Sequence, residues 1–329
     1  MAQIASMPGR IDQRAQALLE PLRRVVPFRG AWISLLEPER REQPPLVSQG
    51  YPDGLNRYMG GPAGVAEIEL LGLNRSNGAT LISDLSTPLE NLRSWAEYLA
   101  PAGFRGGVVA GLFAPDGRYL GMLGLNTDTA GHPTEAARDL ISALAPAIAF
   151  AIDPMRTAAA AARIVGDAQA AIVLTRAGNT LALPGLPGHP LLNPGSAVLT
   201  VASAHLAVHH DFVTFLCPLA ADGPHSLRRI TVLGCNGHPP GHLRGIVVVS
   251  PPGDTQGLDP RELEILGLLI DDWSNQRIAA ALNLPPLIVA ESVERILTIL
   301  HAPTRVVAAL RALRQGLYTP RALIPDEHE

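Results

Sequence analysis

The sequence predicts a multidomain chain: an α+β domain, a smaller α+β domain, and an all-α module of four helices. Three observations lead there. Residues 11–153 alternate helix and strand patterns around one clear hairpin. Residues 170–250 run strand, helix and three further strands. Residues 254–321 show helical periods alone, punctuated by capping residues. The length of 329 residues suits two or three domains. The boundaries follow as 1–154, 155–253 and 254–329.

Composition narrows the chemistry. Apolar residues make up 47% of the chain, enough for packed cores and against wholesale disorder. The start, MAQIASMPGR, lacks an apolar core, so no signal peptide is expected. The apolar stretch LISALAPAIAFAI (140–152) is too short to span a bilayer and contains a proline. A soluble, cytoplasmic protein with no membrane partner is expected. Cys217 and Cys235 make no disulfide framework. All 26 basic residues are arginine. Without lysine, this chain alone cannot form a Walker A loop or a pyridoxal Schiff base. Phosphate neutralisation would fall to arginine or to backbone N–H groups.

In the first segment, Ile11–Arg24 has the apolar spacing of a helix ended near Pro27, and AWISLLE (31–37) reads as a strand. LENLRSWAEYLA (89–100) reads as a helix stopped at Pro101. GGVVAGLFA (106–114) and LGMLGLNT (120–127) flank a Pro-Asp-Gly turn and form a hairpin of two buried strands. An Ala-rich helix over 135–153 closes the domain. One antiparallel sheet with helices on its faces is the expected result. In this order the segment resembles a GAF domain over about residues 11–153. The resemblance implies a sensor that holds a small-molecule effector, contacts a partner protein or dimerises. Trp95, Tyr98, Phe104, Arg105 and Phe113 are candidates to line an effector pocket. The alternative is that the aromatics are core and Arg105 belongs to the surface.

Residues 155–165 read as a helical connector. AAIVLT (170–175) is a strand, and a Pro/Gly-rich loop (183–196) follows it. Helix 196–208 and strands over 212–219, 226–235 and 243–250 complete a small α+β domain similar to a reduced PAS-like fold. The segment holds seven of the ten histidines: His189, His205, His209, His210, His225, His238 and His242, with both cysteines. Cys235 and His238 have ligand-like spacing, but no zinc motif matches. No metal and no cofactor are expected.

The C-terminal segment carries the sharpest signal. Asp259 before Pro260, with Glu262 in the first turn, marks a helix start. Leu263, Leu266 and Ile270 form its apolar stripe. Ser274 caps a second helix, Asn275–Leu282, and Asn283 suits the left-handed turn after it. Pro285 and Pro286 open a third helix with Val289, Val293, Ile296 and Leu300 at helical spacing. A fourth, Arg305–Gln315, presents Val306, Leu310, Leu313 and Leu317 on one side. These landmarks, with Gly257, Leu258, Arg261, Arg277, Ile278, Ala279 and Arg305, resemble the LuxR-type helix-turn-helix of bacterial regulators over the whole segment. The resemblance implies transcription regulation by DNA binding, with double-stranded DNA, a second copy of the chain and a small-molecule effector as partners. It places RNA polymerase among the candidates too.

The third helix, in the DNA-reading position, departs from that family. Pro285 stands where Ser or Thr caps, Ile288 where Thr is usual, and Ser292 where His is usual. Leu287, Ala290 and Ile299 replace frequent Lys or Arg. The candidate DNA contacts are Arg277, Arg295, Arg305, Ser274, Asn275, Glu291 and Ser292, with Arg295 best suited to guanine. Two readings stay open: a DNA-binding regulator, or a regulator whose degenerate module works through protein contacts. No enzyme is expected. No Ser-His-Asp, zincin or paired-carboxylate signature stands out, and GFRGG (103–107) lacks dinucleotide-loop spacing.

Overall fold

A computed structural model of the chain describes residues 10–208, 211–219, 226–235 and 241–324. They form two compact units, 10–157 with 241–242, and 158–235 with 243–324.

The first unit opens with α1 (Ile11–Val25), whose Ile11, Ala15, Leu18, Leu19 and Leu22 are buried along one stripe. Arg14 shares that stripe; its guanidinium donates to Ala151 O at 2.7 Å and Thr157 Oγ1 at 3.0 Å. Then come β1 (Gly30–Ser34), β2 (Pro45–Gln49), α2 (Asp53–Gly60), α3 (Pro62–Leu70) and β3 (Ala79–Leu81). The hairpin β4 (Gly106–Phe113) and β5 (Tyr119–Thr127) lies where it was expected, turning on Gly117 at φ 84°. α4 (Glu135–Ile152) closes the unit, capped by Thr134 Oγ1, which accepts from Ala137 N at 3.3 Å. The sheet is antiparallel, in the order β2-β1-β5-β4-β3. One face packs on α1 and α4. The other packs Trp32 and Met122 against Ile68 and Leu73.

The stretch read as one helix over 89–100 is instead a 3₁₀ turn (Leu89–Asn91) and a π-helical segment (Ser94–Leu99). The reason lies in Ser94, whose backbone N–H donates to Glu67 Oε2 at 3.2 Å and whose hydroxyl donates to Glu67 Oε1. That side-chain anchor satisfies an amide at the start of the segment, while Ala100 N closes a wide turn onto Trp95 O at 2.9 Å. β2, α2, α3 and β3 had no counterpart in the sequence reading.

α5 (Pro154–Ile164) leads into the second unit. β6 (Ala170–Thr175), the short β7 (Thr180–Ala182), α6 (Ala197–Ala207), β8 (Phe212–Pro218), β9 (Leu227–Gly234) and β10 (Leu243–Ser250) follow. Ser196 caps α6 by accepting from Leu199 N at 3.3 Å. The sheet order is β7-β6-β10-β9-β8. Counted within each sheet, both have the strand order 2-1-5-4-3. Four helices complete the unit: α7 (Pro260–Ile270), α8 (Asn275–Ala281), α9 (Pro286–Ile299) and α10 (Arg305–Gln315).

No break separates the second sheet from these helices. Phe215, Ile230, Val232, Val247 and Val249 join Leu263, Leu266, Ile278, Val289 and Ile296 in one apolar cluster. Leu216 N donates to Tyr318 O, and Thr319 N donates to Leu263 O, each at 2.9 Å. Gly316 ends α10 in the left-handed conformation, φ 67°. A Cβ there would overlap the Thr214 methyl and lie 3.0 Å from Thr214 O.

Candidate nucleic-acid interface and effector cavity

The helix-turn-helix is built from its caps. Asp259 accepts from Glu262 N at 2.8 Å, and Glu262 Oε2 accepts from Asp259 N at 2.9 Å; together they start α7. Ser274 Oγ accepts from Arg277 N at 3.3 Å and starts α8. Asn283 takes the left-handed turn, φ 51°, after α8. α9 then buries Val289, Val293 and Ile296 fully or nearly so. Arg311 donates to Leu300 O at 2.6 Å and His301 O at 2.7 Å, covering orphan carbonyls at the end of α9.

The outward side of α9 is bare and poorly charged. Leu287 is 68% exposed and Ile288 42%. Glu291 and Glu294 are exposed beside them, and Ser292 is half-buried. Arg295 does not stand free. Its guanidinium lies 3.1 Å from Glu262 Oε1 and 3.7 Å from Asp259 Oδ2, and donates to Gly257 O at 3.3 Å. The residue expected to suit guanine is thus held across the α7 N-terminus. The other two arginines meet at Trp273. Arg277 lies 3.7 Å above its ring and Arg321 lies 4.7 Å from the same ring. Arg305 donates to the Trp273 carbonyl. Three guanidiniums therefore converge at the start of α8, beside exposed Ser274 and half-buried Asn275, whose Oδ1 finds no partner among the described residues. Arg321 was not among the sequence candidates, because it joins this cluster only through the turn after α10.

α10 exposes Val306, Leu310 and Leu313 along one side. Leu317, expected with them, is buried, because the left-handed Gly316 turns the chain inward.

An apolar cavity of about 70 Å³ opens in the first unit, between the sheet face carrying Trp32 and Met122 and the helices α2, α3 and the π-segment. Of the five sequence candidates, Trp95 lines it. The other four pocket candidates do not. Tyr98 stacks on Tyr58 at 5.6 Å. Phe104 is core, packed on Tyr51 at 5.4 Å. Arg105 turns back on its own chain, donating to Ala100 O at 3.1 Å and Phe104 O at 2.7 Å. Phe113 meets Tyr119 edge-on, 5.4 Å away, beside a separate surface depression. Sequence reasoning missed Trp32, Tyr51, Met59, Glu67, Met122 and Asn126, which line the cavity. Strand alternation in AWIS would have put Trp32 and Ile33 on opposite faces.

Polar groups around the cavity are mostly engaged. Tyr58 donates to Glu67 Oε2 at 2.8 Å, and Tyr51 to Asn126 Oδ1 at 2.6 Å. Burial pushes both phenols well above their ordinary range, with the Glu67 hydrogen bond adding to the shift at Tyr58. Trp32 Nε1 is buried and has no partner among the described residues.

Of the histidine-rich set, His209, His210, His225 and His238 lie outside the described residues. His189 Nδ1 accepts from Leu191 N at 3.1 Å, and His205 stacks on Phe215 at 6.1 Å. Burial lowers the His242 pKa and raises the Cys217 thiol to about 11. Among the described residues no three His, Cys, Asp or Glu side chains gather into a metal-binding group.

No family model and no curated protein matches the chain. Among solved structures it is similar to Escherichia coli SdiA, at 13% identity over 96% of this chain and 95% of that one, TM-score 0.33. A Vibrio cholerae VqmA dimer, described among LuxR-type receptors and without its target DNA, matches at 17% over 42% and 73%, TM-score 0.24. A GAF domain/HD domain protein of Geobacter sulfurreducens matches at 18% over 45% and 94%, TM-score 0.34.

Proposed function

We propose that the chain is an effector-responsive transcription regulator and not an enzyme. The first unit receives a small molecule in its cavity, and the second presents α8 and α9 to double-stranded DNA. One observation carries this reading: α9 buries its whole apolar stripe, Val289, Val293 and Ile296, and keeps its opposite side open. A helix held this way is free to enter a major groove. The arginine cluster at Trp273 supplies the phosphate contacts. The exposed stripe of α10 suits pairing with a second copy, and hence a two-fold DNA site. We place the chain in the cytoplasm. No helix among the described residues is long and apolar enough to cross a membrane.

A second reading draws on Arg295. Its ion pairs with Glu262 and Asp259, beside exposed Leu287, Ile288, Glu291 and Glu294, leave α9 with a face fit for a protein partner. RNA polymerase is a candidate there. Selection from a randomised duplex pool, followed by mobility shifts across a salt series, separates the two. The DNA reading expects an enriched sequence and a shallow slope, on the order of three counterions per subunit. Recovery of no sequence at about 50 mM salt would favour the protein-contact reading.

A further inference from the structure

We infer that the cavity of the first unit takes a small neutral molecule, apolar over most of its surface, that offers one hydrogen-bond acceptor to the indole N–H of Trp32. The inference rests on reading that unit as the sensor.

Size comes first. One water needs roughly 10–15 Å³ of such space, so about 70 Å³ corresponds to on the order of five water-sized positions. That is room for a compound of about six non-hydrogen atoms. Charge comes second. Among the described residues no arginine or histidine lines the cavity, and Glu67 does. An anion would enter with no cation to meet it and a carboxylate beside it. Nor does Glu67 call for a cation. Its two oxygens already accept from Tyr58 Oη, Ser94 N and Ser94 Oγ. A buried charge already met by three donors gains little from a ligand ammonium that must first shed its water.

Polarity decides the rest. Asn126 is also engaged: its Oδ1 accepts from Tyr51, and its Nδ2 donates to Gly106 O at 3.3 Å. Trp32 is different. It is 3% exposed, it lines the cavity, and its Nε1 has no acceptor among the described residues. A buried donor without a partner is costly, and buried polar groups in folded proteins are rarely left so. A carbonyl or ether oxygen on a bound molecule would satisfy it. The π-helical Ser94–Leu99, which carries Trp95 and Leu99 into the lining, is a further mark, since such segments recur at functional sites.

The test uses the full chain, labelled with ¹⁵N at its three tryptophans, Trp32, Trp95 and Trp273. Three probes of about six non-hydrogen atoms or fewer carry different charges: neutral 2-pentanone, anionic butyrate and cationic n-butylammonium, the last also lacking an acceptor. The expected result is a saturable downfield movement of the Trp32 indole proton with 2-pentanone, a still Trp273, and no movement of Trp32 with either ion at the same concentrations. Trp32→Phe assigns the signal. It is expected to weaken ketone binding, read at the Trp95 indole, by about two- to tenfold, the worth of one neutral hydrogen bond. If that variant does not fold, the wild-type titration decides alone. A Trp32 signal unmoved by the ketone, or moved as far by butyrate or butylammonium, overturns the ligand class and leaves DNA binding untouched. Ketone binding that saturates at Trp32 without altering a DNA mobility shift upholds the ligand class and overturns the regulatory reading.

Discussion

Glu262 does two jobs with one carboxylate. One oxygen closes the α7 cap on Asp259 N; the other faces Arg295 across 3.1 Å. The Glu262 side chain is 3% exposed and that of Arg295 57%, so this pair falls between a surface bridge and a buried one. Arg295→Ala is expected to cost about 1–2 kcal/mol at neutral pH, more than a surface pair and less than a fully buried one. Urea unfolding with an unchanged slope checks it. Burial raises the Glu262 pKa above its ordinary 4.5, while the Asp259 hydrogen bond and the Arg295 charge pull it down. The folded chain therefore takes this proton before the unfolded chain does. The stability from this group is complete below the unfolded value and is lost as pH rises through the raised folded value. Removing Arg295 takes away a lowering influence, so the Glu262 pKa should rise further in Arg295→Ala. A ¹³C-carboxyl titration showing the same or a lower value there would mean that the ion pair is not formed in solution. The same variant bears on function. If Arg295 reads a base, its loss relaxes sequence selectivity. If it only braces α7, selectivity survives.

At the scale of elements, the signals that were legible were local. The Pro-Asp-Gly turn placed the β4–β5 hairpin, and Asp259, Ser274 and Asn283 placed the ends of α7 and α8. The period of Val289, Val293 and Ile296 correctly assigned the inner face of α9. What stayed hidden depends on distant partners. α3 buries Glu67 beside Val65 and Ile68 and exposes Leu70, so no periodic stripe marks it; the Glu67 carboxylate makes sense only beside Ser94 and Tyr58. β7 has three residues, too few for an alternation to show. Aromatic residues alone do not mark the cavity: Phe104 fills the core, whereas Trp32 and Met122 line it. Arg295 was visible on its helix, but its acidic partners lie on another one. Two substitutions test the elements. Ile296→Ala deletes a fully buried side chain and should destabilise the second unit by about 2–5 kcal/mol. Gly316→Ala must adopt a left-handed conformation against Thr214 and should cost about 2–3 kcal/mol. A urea midpoint for Gly316→Ala equal to wild type would mean that α10 is not seated on β8.

At the scale of the molecule, the same strand order, 2-1-5-4-3, serves two ends. In the first unit a sheet face closes over a cavity beneath α2 and α3. In the second the sheet joins the helix-turn-helix in one core. A helical head tethered by a loose linker would turn independently of the sheet before it. Here that freedom is absent within the second unit, because turning the head away would expose Leu263, Leu266 and Tyr318 and break the Leu216–Tyr318 bond. The orientation of α9 is therefore set by the sheet, and any signal that shifts β8 must shift α9 as well. Backbone hydrogen exchange tests this coupling. Amides of a single cooperative unit open together, at one free energy. Ile296→Ala should therefore speed exchange by a common factor in β8, β9 and β10 as well as in α7 and α9, although the substitution lies in a helix. The amides of β1, β4 and β5 belong to the other core and should keep their wild-type rates. Acceleration confined to α7–α10, with β8–β10 unchanged, would show that the head opens by itself and that the sheet does not set its orientation.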